Sequence, residues 1–201
     1  MIIINKMRNY FRSFLNGKGF TLIELLVVIG ILGVLAAVVL TAIDPLEQFA
    51  RGRDSGRLST VDQLGHAAQA YYTQNGIYPD DEIPPSPPWM TALQSDGDLK
   101  NIPSNAAYSA NGAHNPNCAA DDIKQNNYCY VQNTAQDAII YTRAESRSNC
   151  NKANPTPPCT NLTQNNAWIV WDSIDGRTGL LYSTTAPPIP AAPAGYGTSL
   201  K

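Results

Sequence analysis

The stretch Gly17-Lys18-Gly19-Phe20-Thr21-Leu22-Ile23-Glu24-Leu25-Leu26-Val27-Val28-Ile29 decides the reading of this chain. From residue 20 to residue 43 the sequence is almost unbroken Leu, Ile, Val and Ala, long enough to cross a bilayer as a helix. Glu24 is the one charge inside it. An ionisable group at that depth is costly, so it calls for a partner and a function. Upstream, residues 1–19 carry Lys6, Arg8, Arg12 and Lys18 and no acid.

A basic head before an apolar segment suggests a secretory signal peptide, whose apolar core runs about 7–15 residues and precedes a small-residue cleavage site. Here the core is longer, and the small residues Gly17 and Gly19 lie before it. Cleavage after Gly19 discards the basic leader and leaves the apolar helix as the mature N-terminus. An uncleaved anchor, with Glu24 snorkelling, is the plainer alternative.

These residues resemble the processing site of class III (type IV) prepilins and of the related pseudopilins. The likeness rests on Gly19 before the cut, Phe20 at the new N-terminus, and Glu24 five residues into the mature chain. It is close over residues 17–50, looser as far as Pro79, and architectural beyond. It implies cleavage between Gly19 and Phe20 by a membrane-embedded aspartyl prepilin peptidase, then N-methylation of Phe20. It also implies polymerisation into a helical filament in which Glu24 meets the freed Phe20 amine of a neighbouring subunit. The partners so implied are further copies of the chain, the peptidase, and the inner membrane with its pilus or secretion assembly platform. The subunit is expected as a single-pass inner-membrane protein before assembly and in an extracytoplasmic or cell-surface filament afterwards.

The helical pattern outlasts the membrane segment. Leu58, Val61, Leu64, Ala68 and Tyr71 recur at steps of three and four and mark one apolar stripe. Arg51, Arg53, Asp54, Arg57 and Asp62 are assigned to the opposite, solvated face. Gly76 after Asn75, with Pro79 beyond, is a stop signal. The expectation is one long helix over 20–75, kinked or locally unwound around Pro45, with a reach of roughly 80 Å. Gly30, Gly33, Ala36 and Ala37 allow close helix approach within the membrane half.

The rest reads as a small exported head. Residues 77–117 form an irregular connector in which Pro84-Pro85-Ser86-Pro87-Pro88 is extended and Trp89 pins a short helical turn to the core. Tyr128-Cys129-Tyr130-Val131, residues 138–144, residues 167–172 and residues 178–182 have strand composition, the last two joined through Asp175-Gly176. The fold class is α+β: a long N-terminal helix, transmembrane then amphipathic, packed on a small antiparallel sheet of three or four strands, pilin-like. The chain divides into a leader (1–19), a transmembrane assembly helix (20–43), its amphipathic continuation (44–76), a disulfide-containing head (77–186) and a loose Pro-rich tail (187–201).

Cys118, Cys129, Cys150 and Cys159 lie on the side opposite the basic leader, outside the cytoplasm, where disulfides persist. Four cysteines allow three pairings. Cys118–Cys129 and Cys150–Cys159 are expected because each closes a short local loop. No Cys-x-x-Cys is present, and His66 and His114 read as surface residues, so neither metal binding nor enzymatic chemistry is indicated. No cofactor is expected. Asp172 and Asp175 are calcium candidates, some pseudopilins having a C-terminal calcium loop, but the turn at Asp175-Gly176 accounts for them more simply. Asn161-Leu162-Thr163 matches a glycosylation sequon, a frequent chance match.

The whole chain has formal net charge −2, and removing the leader's four cations leaves ten Lys and Arg against 16 acids, near −6. That balance argues against nucleic acid as a generic partner. Within the family a pilus subunit is the leading expectation. The alternatives are a pseudopilin of a type II secretion piston and a minor tip or receptor subunit binding DNA or a surface.

Overall fold

The computed structural model describes residues 19–80, 88–108, 118, 123–134, 136–153 and 167–183. Residues 1–18 of the leader, most of the proline run, His114, Cys159, the sequon and the tail 187–201 lie outside the described residues. The chain forms two compact units, divided between Pro45 and Leu46.

The first unit carries α1, Leu22–Ala42. It is the one described helix long and apolar enough to cross a membrane, and none of it is buried in the subunit. Ile43 leaves helical geometry (φ −101°, ψ 112°) while its N–H still donates to the Val39 carbonyl at 3.1 Å. Helix resumes as α2, Pro45–Asn75, with proline at its first position, where the missing N–H costs nothing. The interruption expected around Pro45 thus falls at Ile43 and Asp44.

In the second unit α2 runs to Gly76, whose left-handed φ of 74° and N–H donation to the Tyr72 carbonyl terminate it as the sequence indicates. The short helix α3, Trp89–Asp96, and the later α4, Arg147–Ala153, flank a five-stranded sheet. Its strands are β1 Ile123–Gln125, β2 Tyr128–Thr134, β3 Asp137–Arg143, β4 Ala167–Asp172 and β5 Arg177–Tyr182. All neighbours pair antiparallel in sequence order.

The expected three or four strands become five, the addition being the three-residue β1. Asn126 and Asn127 both take positive φ (52° and 65°), the conformation of a two-residue hairpin turn that folds β1 onto β2. The β4–β5 hairpin turns where Asp175-Gly176 places it, with Gly176 at φ 62° and its N–H on the Asp172 carbonyl.

One sheet face packs with α2 and α3 around Val61, Leu64, Ala68, Tyr130, Ile140 and Trp171. Trp89 is fully buried and stacks on Tyr130 at 4.8 Å, the packing anchor expected of it. The opposite face is also apolar and buried, through Ile139, Tyr141, Trp168, Val170 and Leu181. Every residue of β4 is therefore buried.

The stripe of α2 differs from its sequence reading. Leu58 is 39% exposed, whereas Glu47, Asp54 and Arg57 are buried. The buried face follows the three-and-four series Glu47, Ala50, Asp54, Arg57, Val61, Leu64, Ala68. Its first half is charged. The assignment of Asp54 and Arg57 to the solvated face is overturned because each finds partners far along the chain.

Candidate assembly site

Thr21 caps α1. Its hydroxyl oxygen accepts the Glu24 N–H at 3.3 Å, and its own N–H donates to Glu24 Oε2 at 2.8 Å. The hydroxyl also donates to Glu24 Oε2 at 2.8 Å. This reciprocal capping box satisfies donors that a helix start otherwise leaves open. The Thr-x-x-Glu spacing was present in the sequence, and Thr21 is the site residue that sequence reasoning missed.

Both Thr21 contacts fall on Glu24 Oε2, and Oε1 has no hydrogen-bond partner among the described residues. Glu24 also lacks an ion pair among them. Around it, Phe20, Ile23, Val27 and Val28 line a shallow open depression, positions that share one helix face. Phe20 is 85% exposed. One carboxylate oxygen caps the chain's own helix while the other has no hydrogen-bond partner among the described residues. Such a group can accept a second donor without uncapping the helix.

The head is tied together by a buried charged cluster. Asp54 Oδ1 accepts the Glu145 N–H, and Oδ2 accepts the Ser146 N–H and Asn149 Nδ2, at 2.8 to 2.9 Å. Glu47 accepts the N–H groups of Arg147 and Ser148 at 3.0 and 2.9 Å. Two carboxylates of α2 thus hold four successive backbone donors leading into α4, whose helix dipole favours negative charge there. Arg53 grips Glu145 through two 2.8 Å bonds. Arg57 donates to Asp54, to Glu145 and to the Ala107 carbonyl, with its guanidinium 3.8 Å from the Tyr108 ring centroid.

The remaining sequence-predicted residues are placed as follows. Cys118 and Cys129 are bonded, as expected. Cys150 is disulfide-bonded too, while Cys159 lies outside the described residues. Asp172 is buried, and its Oδ1 accepts the Ile174 N–H at 2.9 Å, a turn contact. Asp175 lies in the same turn, and among the described residues no cluster of three or more His, Cys, Asp or Glu is arranged to hold a metal ion. His66 is exposed on α2, its Nδ1 2.9 Å from the Asp62 carbonyl.

Residues 15–40 match the prokaryotic N-terminal methylation motif. Over 64 residues the chain is 44% identical to the type IV major pilin protein PilE of Neisseria gonorrhoeae, covering 32% of this chain and 37% of that protein. It is 41% identical to the fimbrial protein EcpC of Eikenella corrodens, again over 64 residues, covering 32% of this chain and 40% of that one. A second gonococcal pilin, PilE1, is 43% identical over 63 residues, 31% of this chain and 28% of the relative. The chain thus spans well under half the length of the curated relatives it matches. No solved structure matches it significantly. With the methylation motif and the apolar helix together, the N-terminal third of this chain is similar to that of type IV pilins.

Proposed function

We propose that this protein is a structural subunit of a type IV pilus or pilus-like filament. A prepilin peptidase removes residues 1–19 and N-methylates Phe20. The subunit waits in the inner membrane on α1 and then polymerises through it at an assembly platform. The role is structural rather than catalytic, and no cofactor enters it.

The observation that carries this reading is Glu24 itself. It is one carboxylate in an exposed apolar helix, with one oxygen lacking a hydrogen-bond partner among the described residues and the Gly19-Phe20 bond one turn before it. Cleavage converts the Phe20 amide into a cation. Paired with Glu24 of an adjacent subunit, that amine neutralises a charge that is costly in lipid or in a dry helix bundle. A subunit entering out of register leaves both charges buried and unpaired, at about 3–5 kcal/mol. The leader blocks assembly because it prevents the amine from existing.

Mass spectrometry of sheared surface material tests the reading. The expected product begins at N-methylated Phe20 and comes from fibres that vanish when the gene is deleted. Subunits retaining residues 16–18 would overturn it. Loss of exoprotein secretion without loss of surface fibres would assign the chain to a secretion piston instead.

A further inference from the structure

At the N-terminal end of α2, Glu47, Arg51, Arg147, Ser148, Asn151 and Lys152 line an open groove of about 430 Å³. Three cations face one carboxylate there. That carboxylate is engaged by the Arg51 side chain at 3.0 Å, by the Arg147 side chain at 3.7 Å and by the N–H groups of Arg147 and Ser148. Lys152 is exposed in the last turn of α4. The groove therefore presents net positive charge.

The other end of α2 is acidic. Gln74 Nε2 donates to Asp98 Oδ1 at 2.7 Å, and Asn75 Nδ2 donates to Asp96 Oδ2 at 2.9 Å. Neither aspartate has an ion pair among the described residues. Asp98 Oδ2 is buried and has no hydrogen-bond partner among the described residues. Desolvation and the nearby Asp96 carboxylate raise the Asp98 pKa above its ordinary value against the opposing Gln74 hydrogen bond. Gln74 follows Arg51 by 23 residues, so the two ends stand about 35 Å apart along the helix.

We infer that the basic groove at one end of α2 receives Asp96 and Asp98 of a second copy, so that heads stack end to end with opposite charges in contact. A contact between two different surfaces of one chain is heterologous, and repeated without closure it propagates a fibre. An anionic membrane or a nucleic acid matches the groove but leaves the acidic end unexplained, whereas a second copy accounts for both. The inference rests on the filament-subunit reading above.

Charge reversal in the full-length chain tests it. Lys152→Glu and Asp96→Lys are both exposed changes, chosen because reversing Arg51 or Arg147 would also disturb Glu47 within the fold. Each single reversal should lower filament yield about tenfold, and the double variant should return to within about twofold of wild type. Unchanged thermal unfolding of the single variants confirms that folding is not the cause. Unchanged yield in the singles, or a double variant no better than either, overturns the inference. The latter outcome, with the Lys152→Glu subunit also released from anionic vesicles, would assign the groove to lipid. Absence of filaments from the wild-type chain would instead overturn the subunit reading, so the two failures are distinguishable.

Discussion

Gly65 of α2 faces the Trp171 indole of β4 so closely that a Cβ on Gly65 would stand 2.3 Å from the ring's Cγ and Cδ1. Real Cβ atoms do not approach carbon so closely, and Trp171 is buried and edge-packed against Tyr78 at 6.3 Å. Glycine at this position sets the distance between helix and sheet, and with it the depth to which Val61, Leu64 and Ala68 sink into the core.

Gly65→Ala should therefore destabilise the head by about 1–3 kcal/mol despite alanine's better helix propensity. Adding Trp171→Leu should cost less in the Gly65→Ala background than in wild type, because the ring that clashes is gone. Denaturant unfolding of the four variants measures that coupling. Simple additivity would show that helix and sheet are free to separate at this point.

The charged anchor gives a second prediction. Asn at position 54 keeps the shape but turns an amide donor toward N–H groups that need an acceptor, and it takes from the buried Arg57 one of its two carboxylate partners. Asp54→Asn should cost about 3–5 kcal/mol. Arg57→Met added to it should cost less than it does alone, since the Arg57–Asp54 ion pair is already lost. A chemical-denaturation cycle checks both statements.

How much of this was legible in the sequence depends on the range of the interaction. The methylation motif at residues 15–40 is read from neighbouring residues, as are the stop at Gly76 and the turn at Asp175-Gly176. Asp54 and Arg57 were sent to the wrong face because charge in an amphipathic helix ordinarily marks solvent. Their burial depends on Glu145 and Ser146, some ninety residues on, which no local period encodes. Thr21 and Asn126-Asn127 are different: capping box and paired asparagines were local signals that were available and passed over. The helix α4 had no apolar period to reveal it, being held at its start by Glu47 and Ser146.

Alkaline pH supplies a third prediction. Burial pushes the Tyr78 and Tyr108 hydroxyls up to about 12 from an ordinary 10.0. In the folded head these phenols keep their protons where the unfolded chain has lost them. Their contribution to stability is thus fully present below pH 10 and is lost as pH rises through about 12. Melting temperature should fall across that window while phenolate absorbance shows a late-titrating fraction, and Tyr78→Phe should flatten the fall. A melting temperature flat between pH 10 and 12 would contradict the burial.

The central claim is that Glu24 acts through its charge on a neighbouring subunit and not only as a cap on its own helix. Glutamine retains the capping geometry of glutamate without the charge, whereas Thr21→Val removes the cap's hydroxyl and leaves the carboxylate. The deciding measurement is filament yield per cleaved subunit for Glu24→Gln beside Thr21→Val. The expected result is full leader removal in both, with filaments nearly lost in Glu24→Gln and largely kept in Thr21→Val. Wild-type filament yield from Glu24→Gln would contradict the account.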